Sequence, residues 1–253
     1  MGTLFMARLT NRLVRIRTRK KTLDRRARVN MKALEHLNGT ARALNFQYTV
    51  VDVETTGLDQ RRSRIVSIGA FKVIAGRIHL GRFFNQLVNP GGDMPPESIT
   101  VHGIVPSMVA TAPRGRAAIE TFLDYLGNDI LVAHNARFDL AFLNRLMLAR
   151  YGFKIQNLAI DTLPLCETIL LPKLLGPMQR QAKLMGRGAF NPATRHHPRS
   201  LEAYAHHLGI RIHRRHTAAG DALATAMILQ RGVDKLERKG RGRLKDLIRV
   251  AGV

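Results

Sequence analysis

"VVDVETTGLD", residues 50–59, sets two carboxylates, Asp52 and Glu54, into a run of valines. In a β-strand the side chains at i and i+2 share a face. Asp52 and Glu54 therefore point together, and Val51 and Val53 point the other way. Like charges side by side repel, so both acids resist ionising unless a cation stands between them. The rest of the chain has to account for the pair.

Outward from this stretch, the hydrophobic period becomes that of strands from residue 46. "FQYTVVDVE" reads as a strand, and "RIVSIGAFKVIAG" and "RIHLGRFFNQLVNP" as two more, with "AGR" making a hairpin between them. "PRGRAAIETFLDYLG" reads as a helix opened by Pro113 and closed by Gly127. A short strand "DILVAHN" precedes the helix "ARFDLAFLNRLMLARYG", and "NLAIDT" is a last strand. "LPLCETILLP" is a helix stopped by Pro172, and "SLEAYAHHLG" and "AAGDALATAMILQRG" are helices further on. Three strands in sequence, then alternating helix and strand, predict one α/β domain on a mixed sheet over residues 46–232.

The flanks differ in composition. In residues 1–45, Leu9, Leu13 and Ile16 share one helical face and Arg8, Arg12, Arg15 and Arg19 another. A second helical pattern, Leu23, Ala27, Met31, Leu34 and Leu37, stops at Gly39. This reads as a basic helical N-terminal arm that grips phosphates, lies on a partner, or is a solvated charged face. Residues 173–199 carry basic residues and no acid, with recurring Gly and Pro, and read as a long loop or insertion. Residues 233–253 read as a basic C-terminal tail.

Charge narrows the partners. Against 41 Lys and Arg stand 18 Asp and Glu, a formal net charge of +23 over 253 residues. Such a surface attracts polyanions, nucleic acid first and an anionic membrane second. The single cysteine, Cys166, excludes an internal disulfide and a cysteine-based zinc site, which fits a cytoplasmic protein. No apolar run approaches the roughly 18 residues that span a bilayer, so no membrane partner is expected. The Arg-rich start lacks the serines of a transit peptide and reads as part of the mature chain.

Two further acids enter on helices. Asp139 sits near the start of the helix in "AHNARFDLAFL", and Asp221 in the first turn of "HTAAGDALATA", with His216 just before it. On one regular helix His216 and Asp221 would be well apart in angle; if His216 lies on the preceding loop, it can fold back beside the acid. Ala218, Ala219 and Gly220 leave room for a close approach by substrate or backbone. Singly, each acid reads as a helix-start charge facing the macrodipole. Their joint occurrence, in this order and on these elements, is much harder to reach by accident.

Together "VVDVETTGLD", "AHNARFDLAFL" and "HTAAGDALATA" resemble the three motifs of the DnaQ-like 3′–5′ exonucleases of the DEDDh type. "LVNPGGDMPPESITVHGI" resembles the family's segment between the first two motifs, and the likeness spans about residues 47–231. The resemblance implies a ribonuclease H-like mixed sheet flanked by helices. It also implies that Asp52, Glu54, Asp139 and Asp221 hold two divalent cations, with Glu54 and His216 in catalytic roles. Oxygen-only ligands favour Mg²⁺ or Mn²⁺. The cations then keep the paired carboxylates of the opening stretch ionised.

By the same resemblance Thr55, Thr56 and Gly57, with His102 and Ile104, frame the terminal nucleotide, and Asn135 and Phe138 add contacts. Ile104 and Phe138 read equally as core packing, and Thr55 and Thr56 as turn residues. The expected activity is removal of nucleoside monophosphates from 3′ ends of single-stranded nucleic acid, DNA before RNA. The basic arm, insertion and tail would hold the strand behind that end. An RNA-trimming exoribonuclease and a noncatalytic nucleic-acid-binding module are the alternatives. A DNA polymerase or repair assembly is a further possible partner, but with no clamp-binding peptide in view and only a short basic end, a stand-alone nuclease is the first expectation.

Overall fold

A computed structural model of the chain describes residues 3–18, 23–174, 176 and 199–253. Five strands form one sheet: β1 (Gln47–Thr55), β2 (Ile65–Ile74), β3 (Arg77–Leu87), β4 (Ile130–Ala133) and β5 (Ala159–Asp161), in the order β3-β2-β1-β4-β5. The first three run antiparallel, while β4 is parallel to β1 and β5 parallel to β4. This is the mixed, RNase H-like arrangement expected from the sequence. The β2–β3 hairpin turns on Ala75 and Gly76, both at positive φ (49° and 72°), as a two-residue turn matching strand twist requires.

The helices lie on both faces. They are α1 (Thr3–Thr18), α2 (Arg25–Met31), α3 (Pro96–His102), α4 (Pro106–Val109), α5 (Gly115–Leu126), α6 (Arg137–Tyr151), α7 (Thr162–Leu165), α8 (Leu201–His207), α9 (Ala218–Arg238) and α10 (Leu244–Ala251). Gly127 and Gly152, at φ 59° and 79°, end α5 and α6. The chain after α7 widens into one π-helical stretch, Cys166–Leu170, before Pro172.

Alternation along β1 sorts its residues between two cores. Val51 and Val53 pack with Phe122, Phe142 and Met147 of the α5–α6 layer, and Ala27 and Met31 of α2 join them. Tyr48 and Val50 face the other way, into a core with Leu229 and Val233 of α9 and Leu247 of α10. Burying side chains of this size contributes about 2 kcal/mol each. Asp52 and Glu54 continue the row of Tyr48 and Val50 on the α9 side, at the end where apolar neighbours run out.

α9 meets the sheet through small residues. Gly69 of β2 lies opposite Asp52, and a Cβ there would stand 2.2 Å from the backbone of Ala218. Thr217 caps the helix, its hydroxyl accepting from Gly220 N–H at 3.1 Å. The helix start is thereby set against β2 beside the acids.

Three residues before Asp52, Thr49 belongs to a different buried cluster. Lys72 Nζ, opposite on β2, reaches Asp129 Oδ2 (2.6 Å) and Thr49 Oγ1 (2.9 Å), and Thr49 donates to the same Asp129 oxygen at 2.8 Å. The carbonyl of Tyr125 takes another of its protons.

The flanks are more integrated than the sequence suggested. Asp24 caps α2, Asn11 of α1 donates to the Met31 carbonyl (3.0 Å), and buried Asn30 bonds Asn157. No separate N-terminal arm stands out among the described residues. Residues 233–253, expected as a tail, extend α9 to Arg238 and add α10, whose Leu244 and Leu247 are buried. The physical reason is α10's apolar row, which a reading by charge overlooks. Of the basic insertion, 173–199, all but Lys173, Leu174, Gly176 and Arg199 lies outside the described residues. No described helix is long and apolar enough to cross a membrane.

Candidate active site

At the open end of the β1 row, ligand atoms of Asp52, Glu54 and Asp221 lie within 4.8 Å of one another. Two come from one strand face and the third from the first turn of α9, delivered by the Gly69–Ala218 contact. Asp139, in the first turn of α6, stands beside this trio: its Oδ1 accepts from Val53 N–H at 3.1 Å, and its charge acts on Asp52.

Burial and mutual repulsion make ionisation of these acids costly. Burial, then the charges of Asp139, Asp221 and Glu54, hold Asp52 well above the usual carboxylate range. Burial and the neighbouring Asp221 and Asp139 push Glu54 to about 8. Asp139 also goes to about 8, chiefly by burial, although its own and Val53's backbone N–H oppose the rise. Asp221 reaches about 6 by burial, restrained by Arg215 and by the His216 backbone. Its Oδ1 is buried without a hydrogen-bond partner. Four oxygen-donor acids and an unpartnered carboxylate oxygen suit hard divalent cations.

His216 lies on the loop before α9, half-buried, with φ at 56°. A left-handed conformation costs a non-glycine residue about 1 kcal/mol. Here it turns the chain so that the His216 backbone hydrogen-bonds the Asp221 carboxylate. The histidine thus precedes the helix, which begins at Ala218.

The residues after Glu54 form a small bonded unit. Thr55 Oγ1 donates to the Gly57 carbonyl (2.7 Å); Thr56 pairs with Arg64 through both its backbone N–H (2.8 Å) and its Oγ1 (3.0 Å). His102 is buried at the end of α3; its Nδ1 accepts from Ile104 N–H at 3.0 Å. Burial lowers its pKa, with the Thr55 backbone opposing. Ile104 packs with Val66, Met94 and Val109, and Phe138 sits 5.0 Å from the Phe142 ring against the main core. Asn135 is exposed at φ 57°, and only its backbone is tied down, to Asp161 Oδ1 at 2.9 Å.

Asp161 is the residue that sequence reasoning passed over. It ends β5, is buried, bonds Asn135 and Leu163 N–H, and its charge raises Asp139. Burial raises its own pKa as well. The available signal was "NLAIDT", an acid closing an apolar strand as Asp52 does.

The RNase_T family model, described as an exonuclease, matches residues 49–229. A DNA polymerase III subunit epsilon-like protein of Rhodobacter capsulatus is 38% identical over 196 residues, 76% of this chain and 24% of that protein. The DNA polymerase III subunit epsilon of Rickettsia conorii is 38% identical over 125 residues, 47% of this chain and 54% of its own length. The chain thus spans only about a quarter to a half of these curated relatives. Among solved structures, Exonuclease X in complex with 5′ overhanging duplex DNA superposes with a TM-score of 0.51 at 22% identity, covering 79% of this chain and 98% of that one. Escherichia coli Exonuclease I with a dT13 oligonucleotide gives 0.58 at 16% identity, covering 77% and 42%. At these identities the solved structures speak for the fold.

Proposed function

Because the chain belongs to the RNase_T, or DnaQ-like, 3′–5′ exonuclease family, we propose that it removes nucleoside monophosphates from the 3′ ends of single-stranded nucleic acid, DNA before RNA. The observation that carries this reading is the convergence of Asp52, Glu54 and Asp221 within 4.8 Å, with Asp139 alongside. Mg²⁺ or Mn²⁺ fits these four acids, and two such ions supply Lewis-acid stabilisation of the attacking and leaving oxygens of a phosphodiester.

The chain's own groups do the rest. Carboxylates on β1, α6 and α9, all rigid elements, would hold the cations. His216, held by its backbone on Asp221, takes the proton of the attacking water. Thr55, Thr56 and Gly57, backed by His102, frame the terminal nucleotide. Asn135 reaches it from the β4 end, and Ile104 and Phe138 act through the walls they pack. DNA is favoured because the epsilon-like relatives are named as parts of a DNA polymerase, which also makes a polymerase or repair assembly the partner to test.

The test is 5′-labelled DNA and RNA strands of one sequence, incubated with Mg²⁺, Mn²⁺ or EDTA, beside Asp52→Ala. Ladders shortening from the 3′ end, lost in EDTA and in the variant, establish the activity, and the faster ladder names the substrate. Intact strands throughout leave a binding module. His216→Ala should remove the acid limb of the rate profile, since an imidazole loses its base function below about 6.5; an unchanged limb would take His216 out of the role.

A further inference from the structure

We propose that the β1–β2 loop, residues 57–64, is a phosphate-binding rim for the nucleic-acid strand, and that Arg145 of α6 is the positioning residue that holds it in shape. The ligand class rests on the nuclease reading; the geometry does not.

The loop "GLDQRRSR" carries three arginines and one acid. Arg61, Arg62 and Arg64 are exposed, and the one acid is spent on the turn: Asp59 Oδ1 accepts from the N–H of Arg61 (2.8 Å) and Arg62 (3.3 Å). The only ion pair the described residues offer these three is Arg62 with Asp59 at 3.9 Å, both largely exposed. Elsewhere on this surface arginines find acids, as Arg42 does on Glu237, Arg150 on Glu120 and Arg215 on Glu202.

A cationic loop with a single long ion pair would ordinarily be loose. This one is fixed at both ends and in its middle. At its base Thr56 makes two hydrogen bonds to Arg64, and at Gly57 a Cβ would stand 2.9 Å from Ser63 Oγ. From α6 the Arg145 guanidinium donates to the carbonyls of Gln60 (2.8 Å), Arg61 (3.0 Å) and Ser63. A planar fork suits three carbonyls in a way an ammonium does not. A fourth cation thus spends its protons on backbone oxygens and leaves its charge inside the loop.

The position is as telling as the charge. The loop continues directly from Glu54, Thr55 and Thr56, and Thr55 pairs with Ile65 across its base, so the base of the rim adjoins the Glu54 end of β1. Clustered acids repel a polyanion, and an ordered cationic border offsets that at the place where the strand must enter. Phosphate contacts of this kind position a strand without reading its sequence.

The test is anisotropy of a labelled single strand with the full chain in EDTA. Across about 50 to about 200 mM salt, each phosphate contact contributes about 0.7 to the slope of log K on log salt. Arg61→Gln/Arg62→Gln/Arg64→Gln should flatten the slope by about 2 for three contacts, and weaken binding to DNA and RNA strands alike. Arg77→Gln/Arg82→Gln/Arg116→Gln, with the same net charge, should leave it within about one contact of wild type. Arg145→Gln should raise amide exchange at Thr56 and Arg64, keep the wild-type melting temperature within a few degrees, and weaken binding; Arg145→Lys should restore only part.

An unchanged slope in the loop variant, an equal loss in the control, loss with only one kind of strand, or a loosened loop with undiminished binding would each overturn the proposal. Because EDTA removes metal-dependent cleavage, a chain that binds with the expected slope yet never shortens a strand fails the nuclease reading and leaves this one standing.

Discussion

β1 carries two buried polar clusters three residues apart, and they are opposites. Around Thr49, one acid meets one cation: Asp129 and Lys72 neutralise each other, and Thr49 and the Tyr125 carbonyl take up further donors and acceptors. Around Asp52, four acids gather with no paired cation among the described residues beyond the influence of Arg215 on Asp221, and their pKa values climb. The first cluster is complete within the chain and belongs to the scaffold. The second concentrates carboxylates whose pKa values are raised by burial and by one another, the pattern of a functional site.

The sharpest way to break this contrast is to remove one member from each cluster. Asp52→Asn should lower exonuclease turnover by at least about a thousandfold, or about 4 kcal/mol of activation free energy. In the metal-free protein it should leave stability unchanged or higher, because an uncompensated acid has gone. Asp129→Ala should do the reverse, costing about 3 kcal/mol by urea unfolding as Lys72 is left buried and unpaired. Equal stability losses in the two variants would dissolve the distinction.

A smaller effect comes from pH. Glu54 and Asp139 titrate near 8 when folded, against 4.5 and 3.8 ordinarily, so between those values the folded chain holds more protons than the unfolded one. The stability of the metal-free protein contributed by these groups therefore falls as pH rises from about 4 to about 8. Mg²⁺ must displace those protons, so its stabilising effect should be slight at pH 5 and grow toward about 2.7 kcal/mol at pH 8 when free ion exceeds Kd a hundredfold. Thermal melts at both pH values, with Asp52→Asn as the blank, measure it.

Much of this was legible from the sequence. Period-2 alternation placed Asp52 and Glu54 on a common face, and the five strands and the helices bearing Asp139 and Asp221 followed from pattern and end signals. The spacing from His216 to Asp221 left room for the histidine on the preceding loop, and it lies there. Long-range pairing was not legible. That Thr49 and Lys72 share Asp129 depends on β1–β2 register and on a turn some 80 residues away. Arg145's grip on the 57–64 loop depends on where α6 lands, which no local pattern encodes. The charge of the C-terminal flank misled in another way: Leu244 and Leu247 are buried between basic neighbours, and their apolar face decides the packing.

Gly69 has no chemistry, yet it bears on how relatives of this chain are to be judged. A methyl group there would meet the start of α9 at 2.2 Å and force the helix, with Asp221, away from Asp52. A descendant with alanine at this position would keep every acid and the histidine, and pass any inspection by motif. Its loss of activity would be written in a residue that the motifs omit.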